Sequence, residues 1–137
     1  NSMLGEADLL VGKLEPGRRM ASMMAPTLVF DSEGLALALG AAGGTRLRSA
    51  LVQVVAGVLD EGLSARDAVE RPRLHPAAGV VHLEPGFPDD LPEALEAESF
   101  TVRQWPSRHH YFGGVSAVSR SGAAGDPRRS GSARHPV

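Results

Sequence analysis

At 137 residues, 42% hydrophobic and with a formal charge of −2, the chain has the size of one globular unit and lacks the excess charge of a nucleic-acid binder. Thirteen arginines and one lysine, Lys13, are scattered along it, which excludes a basic stripe for DNA or an anionic membrane surface. The absence of cysteine excludes disulfides and thiolate metal sites, and aromatic residues at only 4% leave any core to Leu, Val, Ala and Met.

The chain opens on Asn1-Ser2-Met3, without an initiator methionine or a cationic apolar leader, and reads as a piece that begins inside a longer protein. No later run approaches the roughly 20 apolar residues that span a bilayer. Up to Gly17 the sequence is loop-like, broken by Gly5, Gly12 and Pro16-Gly17. Ala25-Pro26 then biases the backbone toward extended geometry, and Thr27–Phe30 is predicted as a strand. Asp31–Gly34 is a turn, after which Leu35, Leu37 and Leu39 alternate with Ala36 and Ala38; the pair is predicted as a β-hairpin.

Next comes the most informative stretch, Gly40-Ala41-Ala42-Gly43-Gly44-Thr45, which leads from that strand into an amphipathic helix. Adjacent glycines free the backbone to turn its N–H groups outward. At a helix N-terminus such a loop suits a standing anion or the oxyanion that develops in acyl transfer. The spacing matches neither GxGxxG nor GK[ST], so a dinucleotide or phosphate loop is the weaker reading. Taken alone, the loop is equally well a tight strand-to-helix turn with no ligand.

Leu47, Leu51, Val54, Val55, Val58 and Leu59 fall at helical spacing, and Gly62 ends that helix. Ser64 caps a short second helix, Ala65–Glu70, which stops at Arg71-Pro72. Val80, Val81 and Leu83 predict a strand, Pro88 opens a helix containing Leu91 and Leu95, and Phe100–Trp105 and Val115–Val118 predict two more strands. From Ser119 onward Ser, Gly, Ala, Arg and Pro without periodicity predict an extended or mobile tail. The organisation expected is a partial domain over 1–118 and an extended segment over 119–137. Its fold class is α/β layered (α+β), with mainly antiparallel strands.

The histidines do not predict a metal site. His109 and His110 are adjacent and diverge if the chain is a strand there, His75 and His82 occur in separate contexts, and HExxH is absent. Ser2 would become a terminal nucleophile only after loss of Asn1, and Ser22 lacks the GxSxG setting of a hydrolase serine. Met20, Met23 and Met24 read most simply as pocket or core filler.

Five motifs occur in one order: Arg18-Arg19-Met20-Ala21-Ser22-Met23-Met24-Ala25-Pro26-Thr27, the Gly40–Thr45 loop, Ala68-Val69-Glu70-Arg71-Pro72-Arg73, Leu83-Glu84-Pro85-Gly86-Phe87 and Asp126-Pro127-Arg128-Arg129. With them the chain resembles the small subunit of the γ-glutamyltranspeptidases, from Asn1 to about Gly131. The resemblance implies a share of the four-layer αββα sandwich of the N-terminal-nucleophile hydrolases. These cut themselves into two subunits and expose a threonine whose own α-amino group is the general base.

On that resemblance the threonine would precede Asn1, the partner would be the large subunit or upstream segment of the same precursor, and this chain alone would be inactive. Gly43 and Gly44 would offer amides to the oxyanion, and Ser22 would hold the donor's α-carboxylate. Met23 stands where the family has a second serine, and a thioether donates no hydrogen bond. Ser2-Met3-Leu4-Gly5 replaces a pattern with paired aspartates, which leaves Glu6 to hold the substrate's α-amino group. Asp126 would pair with an arginine to pin the C-terminal segment. The resemblance calls for no cofactor, metal, nucleic acid or membrane segment, and is compatible with a periplasmic or extracellular address. The substrate class it implies is a γ-glutamyl amide such as glutathione, or a related acyl amide. An interaction module without catalysis is the alternative.

Overall fold

The computed structural model describes residues 16–17 and 24–134. Their elements run β1 (Thr27–Asp31), β2 (Gly34–Ala42), α1 (Leu47–Leu59), α2 (Ala65–Glu70), β3 (Leu74–Ala77), β4 (Val80–Leu83), α3 (Leu91–Ala97), β5 (Thr101–Gln104), β6 (Gly114–Ser119) and β7 (Gly122–Gly125). Single turns of 3-10 helix occur at His110–Phe112 and Pro127–Arg129.

The expected hairpin is β1–β2, closed at Ser32-Glu33, where the Glu33 amide donates to Asp31 Oδ1 at 2.8 Å. Arg120, in the β6–β7 turn, forks onto the two oxygens of Asp31 and so ties the two hairpin ends together. Those hydrogen bonds are the main reason the Asp31 carboxyl is held down at about 2. Strand order β1-β2-β6-β7 makes the larger sheet antiparallel throughout.

Opposed residues of an antiparallel pair share a face. Leu39 and Ala117 are opposed, as are Ala41 and Val115, and this face is packed with Leu37 against Ala50, Leu51 and Val54 of α1 and Ala65, Ala68 and Val69 of α2. The second helix starts as its sequence requires: Ser64 is extended and its Oγ accepts from the Asp67 amide at 3.1 Å. A helical layer on one side of an antiparallel sheet is the α+β arrangement expected.

On its other side the sheet carries no helix among the described residues. One rung there, Leu28–Ala38–Val118–Ala123, crosses all four strands. Leu28 is 62% exposed, Phe30 65% and Val118 56%. Leu28 and Val118 border an open hollow of about 490 Å³. Apolar surface of this kind associates. The chain expressed alone is therefore expected to sediment as oligomers, and Leu28→Lys with Val118→Lys to shift it toward monomer. A wild-type monomer at high concentration would contradict this.

Several elements differ from expectation. Strand β2 runs on through Gly40, Ala41 and Ala42, which pair with Ser116, Val115 and Gly114, so the loop shrinks to 43–46. A second sheet, β3-β4-β5, holds a strand absent from the reading, because Pro76 argues against a ladder position. Pro76 is tolerated since β3 is an edge, and Ala78-Gly79, both at positive φ, turn the hairpin into β4. Strands β4 and β5 are parallel, with α3 in the crossover between them. The third helix begins at Leu91, not at Pro88. The segment after Ser119 is not a loose tail: Gly122–Gly125 adds β7 to β6, and Asp126 then caps a 3-10 turn through the Arg128 amide. Among the described residues no helix is long and apolar enough to cross a membrane.

Candidate active site

The chain passes from β2 to α1 through Gly43, Gly44, Thr45 and Arg46. Gly43 sits at φ 145, a region that L side chains avoid. A Cβ built there would lie 3.5 Å from the Gly113 Cα and 3.8 Å from Arg129 Nη2. Leu47 N–H closes the first turn onto the Gly44 carbonyl at 3.1 Å, and Arg46 caps the helix without a side-chain hydrogen bond. Among the described residues, no backbone bond of the loop uses the amides of Gly43 or Gly44 as donors. These unclaimed N–H groups lie at the positive end of a 13-residue helix, a setting that favours negative charge.

Rings brace the loop from one side. The Arg46 guanidinium lies 4.5 Å from the centre of the Tyr111 ring, and Tyr111 stacks on Trp105 at 4.7 Å and tilts against His82 at 4.8 Å. His75 and His82, which the sequence places in separate contexts, are opposed across β3–β4. His109 and His110 do not diverge as in a strand. They stand at the start of the 3-10 turn with ring centres 4.1 Å apart, and His109 Nδ1 accepts from the Tyr111 amide. Among the described residues no group of three or more His, Asp or Glu side chains is placed to hold a metal ion.

His75 is buried, and its Nδ1 lies 2.8 Å from Ser49 Oγ on α1. Gln53, one turn further along α1, accepts from the Leu74 amide and donates to the Leu74 carbonyl, which docks β3 onto the helix. Burial first, then the charges of Arg46, His82 and Arg48, pushes the His75 imidazole below its ordinary 6.5. The unfolded chain thus takes up protons that the folded one refuses as pH drops below about 6.5. The contribution to stability is expected to be full well above that pH and to be lost progressively as pH falls below it. His75→Gln should flatten the decline, as read from melting temperature against pH.

A buried ionic cluster ties α2, the end of β4, the 3-10 turn at His110–Phe112 and the C-terminal segment together. Arg73, after α2, pairs with Asp126 at 2.7 Å; Arg128 pairs with Asp126 at 3.2 Å and, through Nη2 and Nε, with Glu84. Backbone groups complete it. Arg128 donates to the carbonyls of Val69 and Arg71, Glu84 accepts from the amides of Arg73 and His109, and Asp126 accepts from Val115 and Arg128. Burial alone would raise the Asp126 carboxyl, but Arg73 and the two backbone amides hold it below the ordinary value. The expected Asp126–arginine pin is therefore present, doubled, and joined to Glu84, a partner that sequence reasoning missed. Arg73 and Glu84 lie in two of the recognised motifs, so motif membership was the available signal.

Gly43 and Gly44 lie together in this loop; Ser22, Met23 and Glu6 lie outside the described residues.

Comparison with known proteins places this geometry in context. The gamma-glutamyltranspeptidase family model matches residues 6–135. Acylase ACY 1 proenzyme of Pseudomonas sp. (strain V22) is 32% identical over 106 residues, 77% of this chain and 18% of that protein. Human glutathione hydrolase 5 proenzyme is 33% identical over 124 residues, 86% of this chain and 21% of that protein. The chain thus spans about a fifth of these curated relatives. The structure of Helicobacter pylori gamma-glutamyltranspeptidase T380A superposes with TM-score 0.73 at 28% identity, covering 87% of this chain and 70% of that one. Cephalosporin acylase from Bacillus halodurans shares the fold, with TM-score 0.79 at 24% identity over 88% of this chain and 24% of that one.

Proposed function

The chain belongs to the γ-glutamyltranspeptidase family, and on that basis we propose that it is the C-terminal part of an N-terminal-nucleophile enzyme acting on γ-glutamyl or related acyl amides. The observation that carries the reading is the pair of unclaimed amides at Gly43 and Gly44, at the head of α1.

In this mechanism a threonine from the preceding segment or large subunit attacks the amide carbonyl, and its own α-amino group takes the hydroxyl proton. Charge moves onto the carbonyl oxygen, where the Gly43 and Gly44 amides meet it. Such donors contribute roughly 3–4 kcal/mol each to the transition state in comparable sites. The C–N bond then breaks, the amine leaves with the proton, and the acyl-threonine ester passes to water or to an amine acceptor. On this reading Ser22 binds the donor's carboxylate, Met23 replaces a second hydroxyl, and Glu6 binds the donor's amine. The preceding segment also covers the outer face of the larger sheet, where Leu28, Phe30 and Val118 are exposed.

The test is a comparison of γ-glutamyl and glutaryl p-nitroanilides on the polypeptide that carries this chain together with its upstream segment. Self-cleavage ahead of a threonine and release of nitroaniline are expected. Preference for the glutaryl donor would show that Glu6 does not bind an amine. Failure to cleave itself or to hydrolyse either donor would sink the proposal.

A further inference from the structure

We propose that Arg129 binds a carboxylate of the acyl donor, beside the glycine loop; the inference rests on the acyl-transfer reading above. The two adjacent arginines of the Asp126–Arg129 motif take opposite directions. Arg128 is buried in the ionic cluster, whereas the Arg129 side chain is exposed and runs across Gly114 toward Gly43.

Its course is built into the backbone. A Cβ at Gly114 would lie 2.7 Å from Arg129 Cδ and 2.9 Å from Cγ, so the aliphatic stem lies where any larger residue would stand. At the far end, Nη2 is 3.8 Å from the Cβ position of Gly43. The root of the side chain is fixed as well: the Arg129 and Gly131 amides donate to the Asp126 carbonyl at 3.1 and 2.8 Å, and Asp126 is itself locked by Arg73 and Arg128.

What distinguishes Arg129 is that, among the described residues, its guanidinium has no ion pair, hydrogen bond or ring partner. Arg46, the other cation bordering the loop, is occupied by Tyr111, and Arg73 and Arg128 by Asp126 and Glu84. A planar donor fork held at the edge of an anion-accepting loop, with no acid of its own, matches a carboxylate supplied by a ligand.

The test uses the polypeptide that carries this chain with its upstream segment, as wild type, Arg129→Gln and Arg129→Lys. Glutaryl p-nitroanilide has the carboxylate and pentanoyl p-nitroanilide lacks it. Arg129→Gln is expected to raise KM for the glutaryl donor by about tenfold, leave its kcat and both pentanoyl constants unchanged, and be partly rescued by lysine. An equal fall in kcat for both donors would assign Arg129 to the oxyanion instead and overturn the proposal, as would constants that do not move. Calorimetry with free glutarate gives a readout independent of turnover. Binding by wild type and about tenfold weaker binding by Arg129→Gln support the proposal; no binding by wild type overturns it. If glutarate binding depends on Arg129 while neither anilide is hydrolysed, the acyl-transfer reading fails and the carboxylate site stands.

Discussion

Gly43→Ala is expected to lower kcat for acyl transfer by about 10²- to 10³-fold, the loss typical of a missing oxyanion donor, with a much smaller change in KM. The reason is local. At φ 145 a methyl group is strained whatever the space around it, and here the space itself is open enough, with the Gly113 Cα at 3.5 Å and Arg129 Nη2 at 3.8 Å in ordinary contact. The loop would relieve the backbone strain by rotating, and rotation re-aims the amides of Gly43 and Gly44 away from the reacting carbonyl. Because charge on that oxygen develops only in the transition state, substrate binding is largely spared. The strain itself costs on the order of 1 kcal/mol of stability. Unfolding in urea therefore separates the two effects: a modest loss of stability with a large loss of kcat supports the oxyanion assignment. Wild-type kcat in a folded Gly43→Ala enzyme would end it.

Arg128→Met is expected to have the largest effect on stability, about 3–5 kcal/mol, because it removes one partner of a buried ion pair and leaves the other charged. Glu84 and Asp126 are 3% exposed, so neither gains water when the guanidinium is gone. The Arg71 carbonyl also loses its donor, and that of Val69 keeps only Arg73. Against a typical total of about 5–15 kcal/mol, such a loss brings a domain close to unfolding. Arg128→Lys should recover only part of it, since an ammonium group reaches Glu84 but does not fork to both carbonyls. The measurement is chemical denaturation of the three proteins at one pH.

Acid provides a second probe of the same cluster. The Asp126 carboxyl is held below its ordinary 3.8 in the folded chain. The unfolded chain therefore binds the proton first as pH falls, and the stabilisation present above about pH 4 is lost below it. An acid transition unchanged by Asp126→Asn would show that the cluster does not contribute in this way.

The candidate site was legible where chemistry and geometry are local. Two glycines between an alternating strand and an amphipathic helix specify a turn at a helix head whatever surrounds it, and Ser64 followed by Asp67 specifies a cap. The strand through Gly40, Ala41 and Ala42 was not legible, because small residues carry no alternation and their pairing with Gly114–Ser116 is made by backbone alone. Strand β7, Gly-Ala-Ala-Gly, is hidden for the same reason. Pro76 concealed β3, since only the position of a strand in its sheet decides whether a missing N–H matters.

By itself, then, the sequence determined the order of the main elements, the glycine turn, the amphipathic face of α1 and the ordered motifs that mark the family. Each of these depends on residues within a few positions of one another, or on their order. Tertiary structure alone decided that His75 faces His82, that Arg73, Glu84, Asp126 and Arg128 share one buried cluster, and that Arg129 lies across Gly114 to reach the loop. Apart from Asp126 with Arg128, those pairings join residues 7 to 86 positions apart. Their selection depends on burial and on register between strands, which raise the energetic consequence of each charge and hydrogen bond but leave no periodic mark along the chain.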